Sequence, residues 1–371
     1  MQVAFRCDAS FDIGSGHVMR CLTLAAALRE YGHLCRFICR DLPGHMAEIV
    51  SKSGFPVTLL TKPPSNFIAI EGSSSHEYWA GVTWEKDVVE TQKALPDECE
   101  WLVVDHYAFD LNWEKAIRSF VKRVFVIDDL ADRAHDADLV LDQSIGRSTA
   151  DYDGLLPSYT MRLIGPHYAI LRPEFLQRRS QSIFRRREAG FALRHLLIFM
   201  GGVDFPNITS KMLCSLDSCM VASLDQVTVV MGPLAPALEE VRSFIPNLSV
   251  PTRLVVGAQD MATLMYEADL AIGGVGGATL ERCCLGLPTL TVVMAENQRF
   301  MAKALQDLGA SITLGDITTD QDFQIKDFDL LKVLSRLSLG QLEEMTNACI
   351  KITDGHGTGR ILAAMGVGVD I

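Results

Sequence analysis

Short apolar runs of strand length alternate with stretches of helical periodicity along most of the chain. This alternation is typical of parallel sheets whose connections are helices. It occurs as two successive series, and 371 residues exceed what one hydrophobic core usually supports. The first series comprises Val3–Cys7, Leu34–Cys39, Val57–Leu60, Trp101–Val104, Val124–Ile127 and Leu139–Leu141; the second comprises Leu196–Met200, Val227–Met231, Leu254–Val256, Leu270–Ile272 and Leu290–Val293. The sequence therefore predicts an α/β protein with two parallel-sheet domains.

A polar and basic stretch separates the two series. Residues 177–188 contain five arginines and little apolar periodicity. We interpret residues 178–192 as a linker between an N-terminal domain, residues 1–177, and a C-terminal domain with terminal helices, residues 193–371. A patch for an acidic membrane surface is the alternative interpretation of the arginines.

Charge and composition exclude several classes of function. A formal net charge of -12 argues against broad contact with nucleic acid, whose phosphates require a basic face. The first residues lead directly into an apolar run, without a basic and apolar leader, and no run approaches the roughly 20 apolar residues that span a bilayer. The ten cysteines form no CxxC pair. We expect a cytoplasmic protein with reduced thiols and no membrane insertion.

A glycine-rich turn, Gly14-Ser15-Gly16-His17, follows the first apolar run and leads into a helical stretch, Val18–Leu28. Gly14 and Gly16 leave room for a ligand beside the backbone, and open parallel sheets bind ligands at the carboxyl ends of strands. At the N-terminus of that helix, the dipole favours the neutral imidazole that a general base requires. His17 is therefore a candidate base, although helix capping or local packing is an equally simple explanation.

Two charged side chains flank this turn. Arg20, one helical turn after His17, could contact a phosphate or carboxylate, or could simply be solvated. Asp8, just after the first apolar run, could orient His17 or shape the turn. Both rank below His17 as functional candidates.

A second glycine-rich turn, residues 273–277, follows the run Leu270–Ile272 and precedes a helical stretch. The backbone N–H groups of Gly274, Gly276 and Gly277 at a helix N-terminus form a candidate site for a diphosphate. The lysine of a Walker loop is absent. Glu281, one turn into the helix, could accept hydrogen bonds from ribose hydroxyls, or could be a residue that the helix dipole favours.

Two further clusters follow runs of the second series. Gly201-Gly202 precedes Asp204 and then Asn207-Ile208-Thr209, which has the pattern of a helix cap. Asp204 could also line a cleft and bind substrate. Glu296-Asn297-Gln298 follows the run Leu290–Val293 directly. Asn297 and Gln298 suit sugar or base recognition, and the cluster could equally cap the next helix.

Seven short motifs, taken in order along the chain, resemble the UDP-sugar hydrolases of pseudaminic acid biosynthesis. Because the matches are colinear, they are more specific together than any one motif is alone. The motifs are Arg6-Cys7-Asp8-Ala9-Ser10, Gly14-Ser15-Gly16-His17-Val18-Met19-Arg20, Asp105-His106-Tyr107, Tyr152-Asp153-Gly154-Leu155, Tyr168-Ala169-Ile170-Leu171-Arg172, Gly201-Gly202-Val203-Asp204 and Glu296-Asn297-Gln298.

This resemblance implies a GT-B fold, in which two Rossmann-like domains face each other across a cleft and uridine binds mainly to the second. It implies removal of UDP from UDP-2,4-diacetamido-2,4,6-trideoxy-β-L-altropyranose by attack of water at C1 with inversion, without a metal or other cofactor. His17 matches the catalytic histidine of the family, and Tyr107 matches an active-site tyrosine. The only partner it implies is the UDP-sugar.

Three alternatives stay open at this point. A GT-B glycosyltransferase would have the same fold and nucleotide site, a hydrolase could take a related diacetamido sugar, and a non-catalytic protein could bind the nucleotide sugar. Asp136-Ala137-Asp138 has the DxD spacing that metal-dependent glycosyltransferases use to hold a diphosphate. No glycine turn adjoins it, and we assign it to the entry of the run Leu139–Leu141.

Overall fold

The computed structural model describes residues 1–64, 76–217, 224–318 and 330–368. The chain divides into two compact units: unit 1 is Met1–Ile170 with Gly357–Ile371, and unit 2 is Leu171–His356. Each unit contains one sheet in which every strand pairing is parallel. The prediction of two parallel-sheet domains is confirmed.

The sheet of unit 1 has seven strands in the order β3-β2-β1-β4-β5-β6-β7. The strands are β1 Gln2–Cys7, β2 Leu34–Arg40, β3 Val57–Leu60, β4 Trp101–Asp105, β5 Arg123–Ile127, β6 Leu139–Asp142 and β7 Met161–Ile164. The helices are α1 Gly16–Glu30, α2 Ala47–Lys52, α3 Trp84–Ala94 and α4 Leu111–Ile117, with 3-10 turns at Glu77–Ala80, Arg118–Phe120, Thr149–Tyr152 and Pro166–Tyr168.

The sheet of unit 2 has six strands in the order β10-β9-β8-β11-β12-β13. The strands are β8 His195–Phe199, β9 Gln226–Met231, β10 Thr252–Val256, β11 Leu270–Gly274, β12 Thr289–Val293 and β13 Ser311–Asp316. The helices along this part of the chain are α5 Pro173–Glu188, α6 Ile208–Asp217, α7 Leu238–Phe244, α8 Met261–Glu267, α9 Gly277–Cys284, α10 Gln298–Asp307, α11 Leu330–Arg336 and α12 Leu339–Ile352, with a 3-10 turn at Ile245–Asn247. The last helix, α13, spans Gly357–Ala364.

Burial explains part of what the sequence reveals. Every residue of β4 and β6 is buried, and apart from the final Asp105 and Asp142 both strands are continuous apolar runs. The sequence prediction found the poorly buried edge strands β3 and β10 but missed the other two edge strands, β7 and β13. Both are partly exposed and carry polar residues between their apolar ones, so neither forms a continuous apolar run.

Helix α1 packs one apolar face against the sheet of unit 1. Val18, Leu22, Ala25 and Leu28, the residues predicted to share a buried face, are all buried in the same core cluster. The helix begins earlier than the predicted Val18, so His17 belongs to its first turn.

The predicted linker, residues 178–192, is instead mostly helical, because all of the basic stretch 177–188 lies in α5. Its arginines bind carbonyl oxygens at the ends of other helices: Arg179 donates to the carbonyls of Cys284 and Ile350, and Arg186 donates to those of Met265 and Ala268. The last carbonyls of a helix lack partners within it, and cations are favoured there. The arginines therefore have a structural role in unit 2.

The end of the chain also differs from the predicted division at residues 193–371. Helix α13 belongs to unit 1, where Ile361, Leu362 and Met365 are buried in the same core cluster as α1. The indole of Trp101 on β4 donates a hydrogen bond of 3.2 Å to the carbonyl of Met365. Apolar burial against α1 and β4 therefore brings this segment back to the first sheet.

Two other expectations concern membrane insertion and the state of the cysteines. In the described ranges, none of the helices has both the length and the apolar character that crossing a membrane requires. Within those ranges, eight cysteines are buried free thiols, and Cys214 is exposed.

Candidate active site

The glycine turn of unit 1 joins β1 to α1 at the carboxyl edge of the sheet. Gly14 has a φ of 79°, which favours glycine, and its N–H donates to the carbonyl of Ser10 at 2.9 Å. No atom lies within 4 Å of the position that a Cβ would take at Gly14 or Gly16. The backbone leading to His17 therefore borders open space.

His17 contacts a carboxylate that the sequence reasoning did not assign to it. Its Nδ1 lies 2.5 Å from Oδ1 of Asp105, the last residue of β4. β1 pairs with β4 so that Cys7 lies beside Asp105, which brings the end of β4 next to the turn after β1. Because a carboxylate only accepts, Nδ1 is the donor, and in the neutral ring Nε2 carries the lone pair.

Asp105 is an ionised carboxylate that is fully buried. Burial alone would raise the pKa of Asp105, but the Arg20 guanidinium and His17 outweigh burial and hold the pKa well below its usual range. The thiol of Cys21 also points to Asp105, at 3.6 Å. His17 is therefore held by a fixed negative charge.

Tyr107 lies beside His17, as the resemblance implied. The two rings meet edge to face with centroids 4.7 Å apart, and Trp79 stacks on Tyr107 at 5.4 Å. The phenol donates to Oδ2 of Asp129 at 2.7 Å. Burial raises the pKa of Tyr107 well above its ordinary value, and Asp129 adds to the rise. Tyr107 is therefore a neutral donor at physiological pH.

Asp8 does not contact His17 and belongs to a separate buried cluster. Its Oδ1 accepts from Arg6 at 2.7 Å and from the backbone N–H of Arg40 at 2.6 Å, and its Oδ2 lies 3.1 Å from Nε2 of His106. Burial opposes ionisation, but Arg6 and His106 hold the pKa of Asp8 well below its usual range. Asp8 therefore holds the end of β1 to the end of β2, and these contacts match neither of the two roles considered for it.

Arg20 makes contacts other than those expected of a phosphate ligand. Its Nε and Nη2 donate to the two carboxylate oxygens of Asp105 at 2.6 and 2.7 Å, and its Nη1 donates to Asp129 at 2.7 Å. The guanidinium therefore lies between the carboxylate that holds His17 and the carboxylate that accepts from Tyr107.

The glycines of the second turn fall into two kinds. At Gly273, a Cβ would lie 2.7 Å from the backbone oxygen of Phe199, and at Gly274 it would lie 2.4 Å from Cε of Met294. At Gly276 and Gly277, nothing lies within 4 Å of the Cβ position. Backbone packing therefore requires glycine at Gly273, whereas at Gly274 the flexible end of Met294 could move aside. Gly276 and Gly277 leave open space at the N-terminus of α9, where an anion could lie.

Glu281 and Arg172 form a polar pair beside this turn. Nη2 of Arg172 donates to Oε1 of Glu281 at 3.3 Å, and its Nη1 lies 3.0 Å from Glu174. Burial raises the pKa of Glu281, and Arg172 opposes the rise. The sequence reasoning quoted Arg172 within a motif but gave it no role.

A polar pocket adjoins Glu174 on the surface of unit 2. Its volume is about 450 Å³, and Gln259 and Asp260, between β10 and α8, lie on its wall. Both residues follow the carboxyl end of a strand, where ligands of parallel sheets bind. The sequence reasoning missed them, although their position after the run Leu254–Val256 could have indicated them.

Asp204, Asn297 and Gln298 were predicted to bind substrate. Asp204 instead caps α6, since its two oxygens accept from the N–H groups of Ile208 and Thr209 at 3.0 and 2.9 Å. Oε1 of Gln298 accepts from the N–H of Met294 at 3.0 Å. Asn297 is exposed at the start of α10 and makes no side-chain cap. Of the three, Asn297 best fits a role in binding.

The candidate metal motif is engaged by one arginine. Nε of Arg118 donates to Asp136 at 3.0 Å and its Nη1 donates to Asp138 at 3.1 Å. Asp138 also accepts from the N–H of Val124, which ties the motif to the entry of β6. Within residues 1–64, 76–217, 224–318 and 330–368, no three His, Cys, Asp or Glu side chains are grouped so that they could hold a metal.

The two sheets and their comparison with solved structures define a protein with the GT-B fold. MurG of Acinetobacter baumannii superposes with a TM-score of 0.66 at 15% identity, covering 98% of this chain and 99% of MurG. A complex of MnaA from S. aureus with UDP superposes with a TM-score of 0.60 at 11% identity, covering 100% of this chain and 98% of MnaA.

Among curated proteins, the chain is similar to the UDP-2,4-diacetamido-2,4,6-trideoxy-beta-L-altropyranose hydrolase of Campylobacter jejuni. The two are 25% identical over 314 residues, which is 84% of this chain and 98% of the hydrolase. No protein-family model matches the chain. The similarity to a nucleotide-sugar hydrolase agrees with the resemblance of the sequence motifs.

Proposed function

We propose that this protein is a UDP-sugar hydrolase in which His17 activates water. The observation that carries the proposal is the contact of 2.5 Å between Nδ1 of His17 and the buried carboxylate of Asp105. A histidine held at Nδ1 by a carboxylate presents Nε2 as a base and is stabilised when it becomes protonated. Its place beside the open turn at Gly14 and Gly16 gives a substrate access to it.

In the proposed reaction, Nε2 of His17 removes a proton from water as the water oxygen attacks the anomeric carbon. The bond between that carbon and the phosphate oxygen breaks, and its electron pair leaves with UDP. Attack opposite to the leaving group inverts the configuration. The products are the free sugar and UDP, and His17 releases the proton to solvent. Because UDP is a good leaving group, the reaction requires neither a strong general acid nor a metal.

Unit 2 supplies the features that suit the nucleotide. The exposed backbone at Gly276 and Gly277 fits a diphosphate, and backbone N–H groups at a helix N-terminus stabilise the charge that develops on it. Glu281 and Asn297 are the side chains we assign to ribose, base or sugar hydroxyls. The UDP-bound MnaA neighbour supports a nucleotide of this kind.

The similarity to the Campylobacter jejuni protein supports UDP-2,4-diacetamido-2,4,6-trideoxy-β-L-altropyranose as substrate. By the same resemblance we assign the reaction to pseudaminic acid biosynthesis in the cytoplasm. A related diacetamido sugar is the nearest alternative substrate, and a sugar acceptor in place of water is the nearest alternative reaction.

The site of bond cleavage is tested in water enriched in ¹⁸O. The purified protein is incubated with the UDP-diacetamido-altrose in the presence of EDTA, and the products are analysed by mass spectrometry. We expect one ¹⁸O atom at C1 of the free sugar and unlabelled UDP. Label in the phosphate would mean attack at phosphorus and would refute the mechanism. Turnover that depends on an added sugar or lipid acceptor would identify a transferase.

The role of His17 is tested with His17→Asn. We expect kcat to fall by about 10² to 10⁴, the usual contribution of a general base, while the Kd for UDP stays within twofold. His45→Asn is the matched control, because His45 is a half-buried histidine on the loop before α2 in the same unit. Full turnover in His17→Asn would indicate a protein whose glycine turn is only structural.

A further inference from the structure

The guanidinium of Arg20 connects the two residues that the resemblance implicates in catalysis. It binds both oxygens of Asp105, which holds Nδ1 of His17, and it binds Oδ2 of Asp129. That same Oδ2 accepts from the hydroxyl of Tyr107 at 2.7 Å. The rings of His17 and Tyr107 contact each other, so the five residues form a closed loop of contacts.

Burial makes this loop rigid and its charges strong. Asp105 is fully buried, and the side chains of Arg20 and His17 are only 12% and 9% exposed. A guanidinium that donates in a fork to one carboxylate and through its other end to a second fixes both in one plane. Lysine, with a single point charge, could hold one carboxylate or the other but could not reproduce the fork.

We propose that Arg20 is a positioning residue for the hydrolysis: it fixes the carboxylates that hold His17 and Tyr107, and it compensates the negative charge beside the His17 ring. This inference rests on the proposed function, in which His17 is the base. Of the contacts expected for Arg20, a phosphate or a carboxylate, the structure shows the carboxylate.

The charge balance of the loop gives the physical reason. With neutral His17, the loop holds two carboxylates and one guanidinium, an excess of one negative charge. A proton on His17 makes the loop neutral, which favours the protonated ring that forms as water attacks. Without Arg20, two uncompensated carboxylates would hold that proton too firmly, and less His17 would be free to act as a base.

The groups that face His17 come from several elements. Asp105 and Tyr107 approach from the end of β4, and Arg20 approaches from α1 itself. The ring of Trp79 lies 6.2 Å from the His17 ring, edge to face, and His76 packs against Trp79 and Tyr107. Of these, Arg20 and Asp105 carry the permanent charges in contact with the His17 ring.

The test compares Arg20→Gln, Arg20→Lys and Asp129→Asn by the pH dependence of kcat/KM. In Arg20→Gln, we expect the acid limb to move to higher pH by about one unit or more and kcat at neutral pH to fall at least about tenfold. In Arg20→Lys, the limb should return toward that of the natural protein, while kcat stays low because the fork is lost. In Asp129→Asn, which removes a negative charge, the limb should move to lower pH.

Binding of UDP alone, measured by calorimetry, distinguishes this role from phosphate binding. We expect the Kd for UDP to stay within twofold in all three variants. Arg29→Gln is the matched control, since Arg29 lies at the other end of α1 and donates to the carbonyl of Ser53. Thermal unfolding of each variant establishes that it is folded. If Arg20→Gln does not fold, Asp129→Asn tests the same loop.

Two results would overturn the inference. One is a large rise in the Kd for UDP in Arg20→Gln with an unmoved acid limb, which would make Arg20 a phosphate ligand. The other is a limb that does not move in opposite directions in Arg20→Gln and Asp129→Asn. Either result leaves the proposed function standing if His17→Asn is inactive, whereas a fully active His17→Asn refutes His17 as the base on which this inference rests.

Discussion

The carboxyl edges of the two sheets use different kinds of polar group. In unit 1, charged side chains stand at or just after the strand ends, such as Asp8 after β1 and Asp105 on β4, and arginines compensate them. In unit 2, the turn after β11 presents glycine backbone instead. Side chains can exchange protons, whereas backbone N–H groups offer a fixed positive dipole. One architecture can therefore serve proton transfer at one edge and anion binding at the other.

This comparison predicts that changes at the two edges affect different kinetic quantities. Replacing a charged group in unit 1 should lower turnover, and filling the open turn in unit 2 should weaken nucleotide binding. A variant in one unit that changed the quantity assigned to the other unit would contradict this division.

The largest effect should come from Asp105→Asn. The amide can donate to Nδ1 of His17, which favours the tautomer with its proton on Nε2 and removes the base. We expect kcat to fall by about 10² to 10⁴, with the Kd for UDP unchanged. Asp97→Asn is the control, because Asp97 is exposed between α3 and β4. If Asp105→Asn kept a third of the turnover, the proposed partnership of Asp105 and His17 would be wrong.

A smaller effect, on binding, should come from Gly277→Val. The branched side chain would fit the protein, since the Cβ position is open, but would cover the N–H groups where the diphosphate is proposed to lie. We expect the Kd for UDP to rise about tenfold or more and kcat at saturation to stay within about threefold. Gly359→Val on α13 is the matched control, because that glycine also borders open space in a first helical turn. Unchanged UDP affinity in Gly277→Val would move the diphosphate elsewhere.

The smallest effect concerns stability in acid. In unit 1, guanidinium groups outweigh burial and lower the pKa values of Asp8 and Asp105. In unit 2, burial raises the pKa values of Asp204 and Glu281. A lowered pKa means that the unfolded chain binds protons more readily, so that stability is lost as the pH falls below about 4. A raised pKa means that the folded state binds protons more readily than the unfolded chain, so that the folded state gains stability as the pH falls.

We therefore expect unit 1 to unfold at a higher pH than unit 2, with midpoints about half a unit apart. All four tryptophans lie in unit 1, so their fluorescence follows that unit, while far-UV ellipticity follows both. Fluorescence should change first as the pH falls from 5 to about 2. Burial raises the pKa of Asp142 to about 7, so the stability that its protonation adds to unit 1 is complete once the pH is below about 4. Coincident midpoints would contradict the electrostatic difference between the units.

The sequence predicted the strands well where burial is two-sided, because such strands must be continuous apolar runs. It predicted His17 and Tyr107 as neighbours only through the resemblance. The partner of His17 could not be found from spacing, since Asp8 and Asp105 both follow apolar runs. Only the adjacency of β1 and β4 in the sheet brings Asp105 to the histidine, and strand order is not written in local sequence.

The role of arginines was also beyond sequence reasoning. Arg179 and Arg186 belong to a stretch whose composition is that of a solvated linker, and only the helix ends around it show what they bind. Arg20 likewise has the position of a phosphate ligand, but its guanidinium binds the carboxylates of Asp105 and Asp129. The role of a guanidinium depends on which acceptors it binds, and for these arginines the acceptors lie far away in the chain.

The return of α13 to unit 1 bears on how the protein is made. Unit 2 is continuous in sequence, whereas unit 1 needs residues 357–368 to cover the core formed by α1 and β4. On the ribosome, the first sheet emerges early but lacks its closing helix until nearly all of this chain has been synthesised. We therefore expect the unit that is translated first to be the unit that completes its folding last.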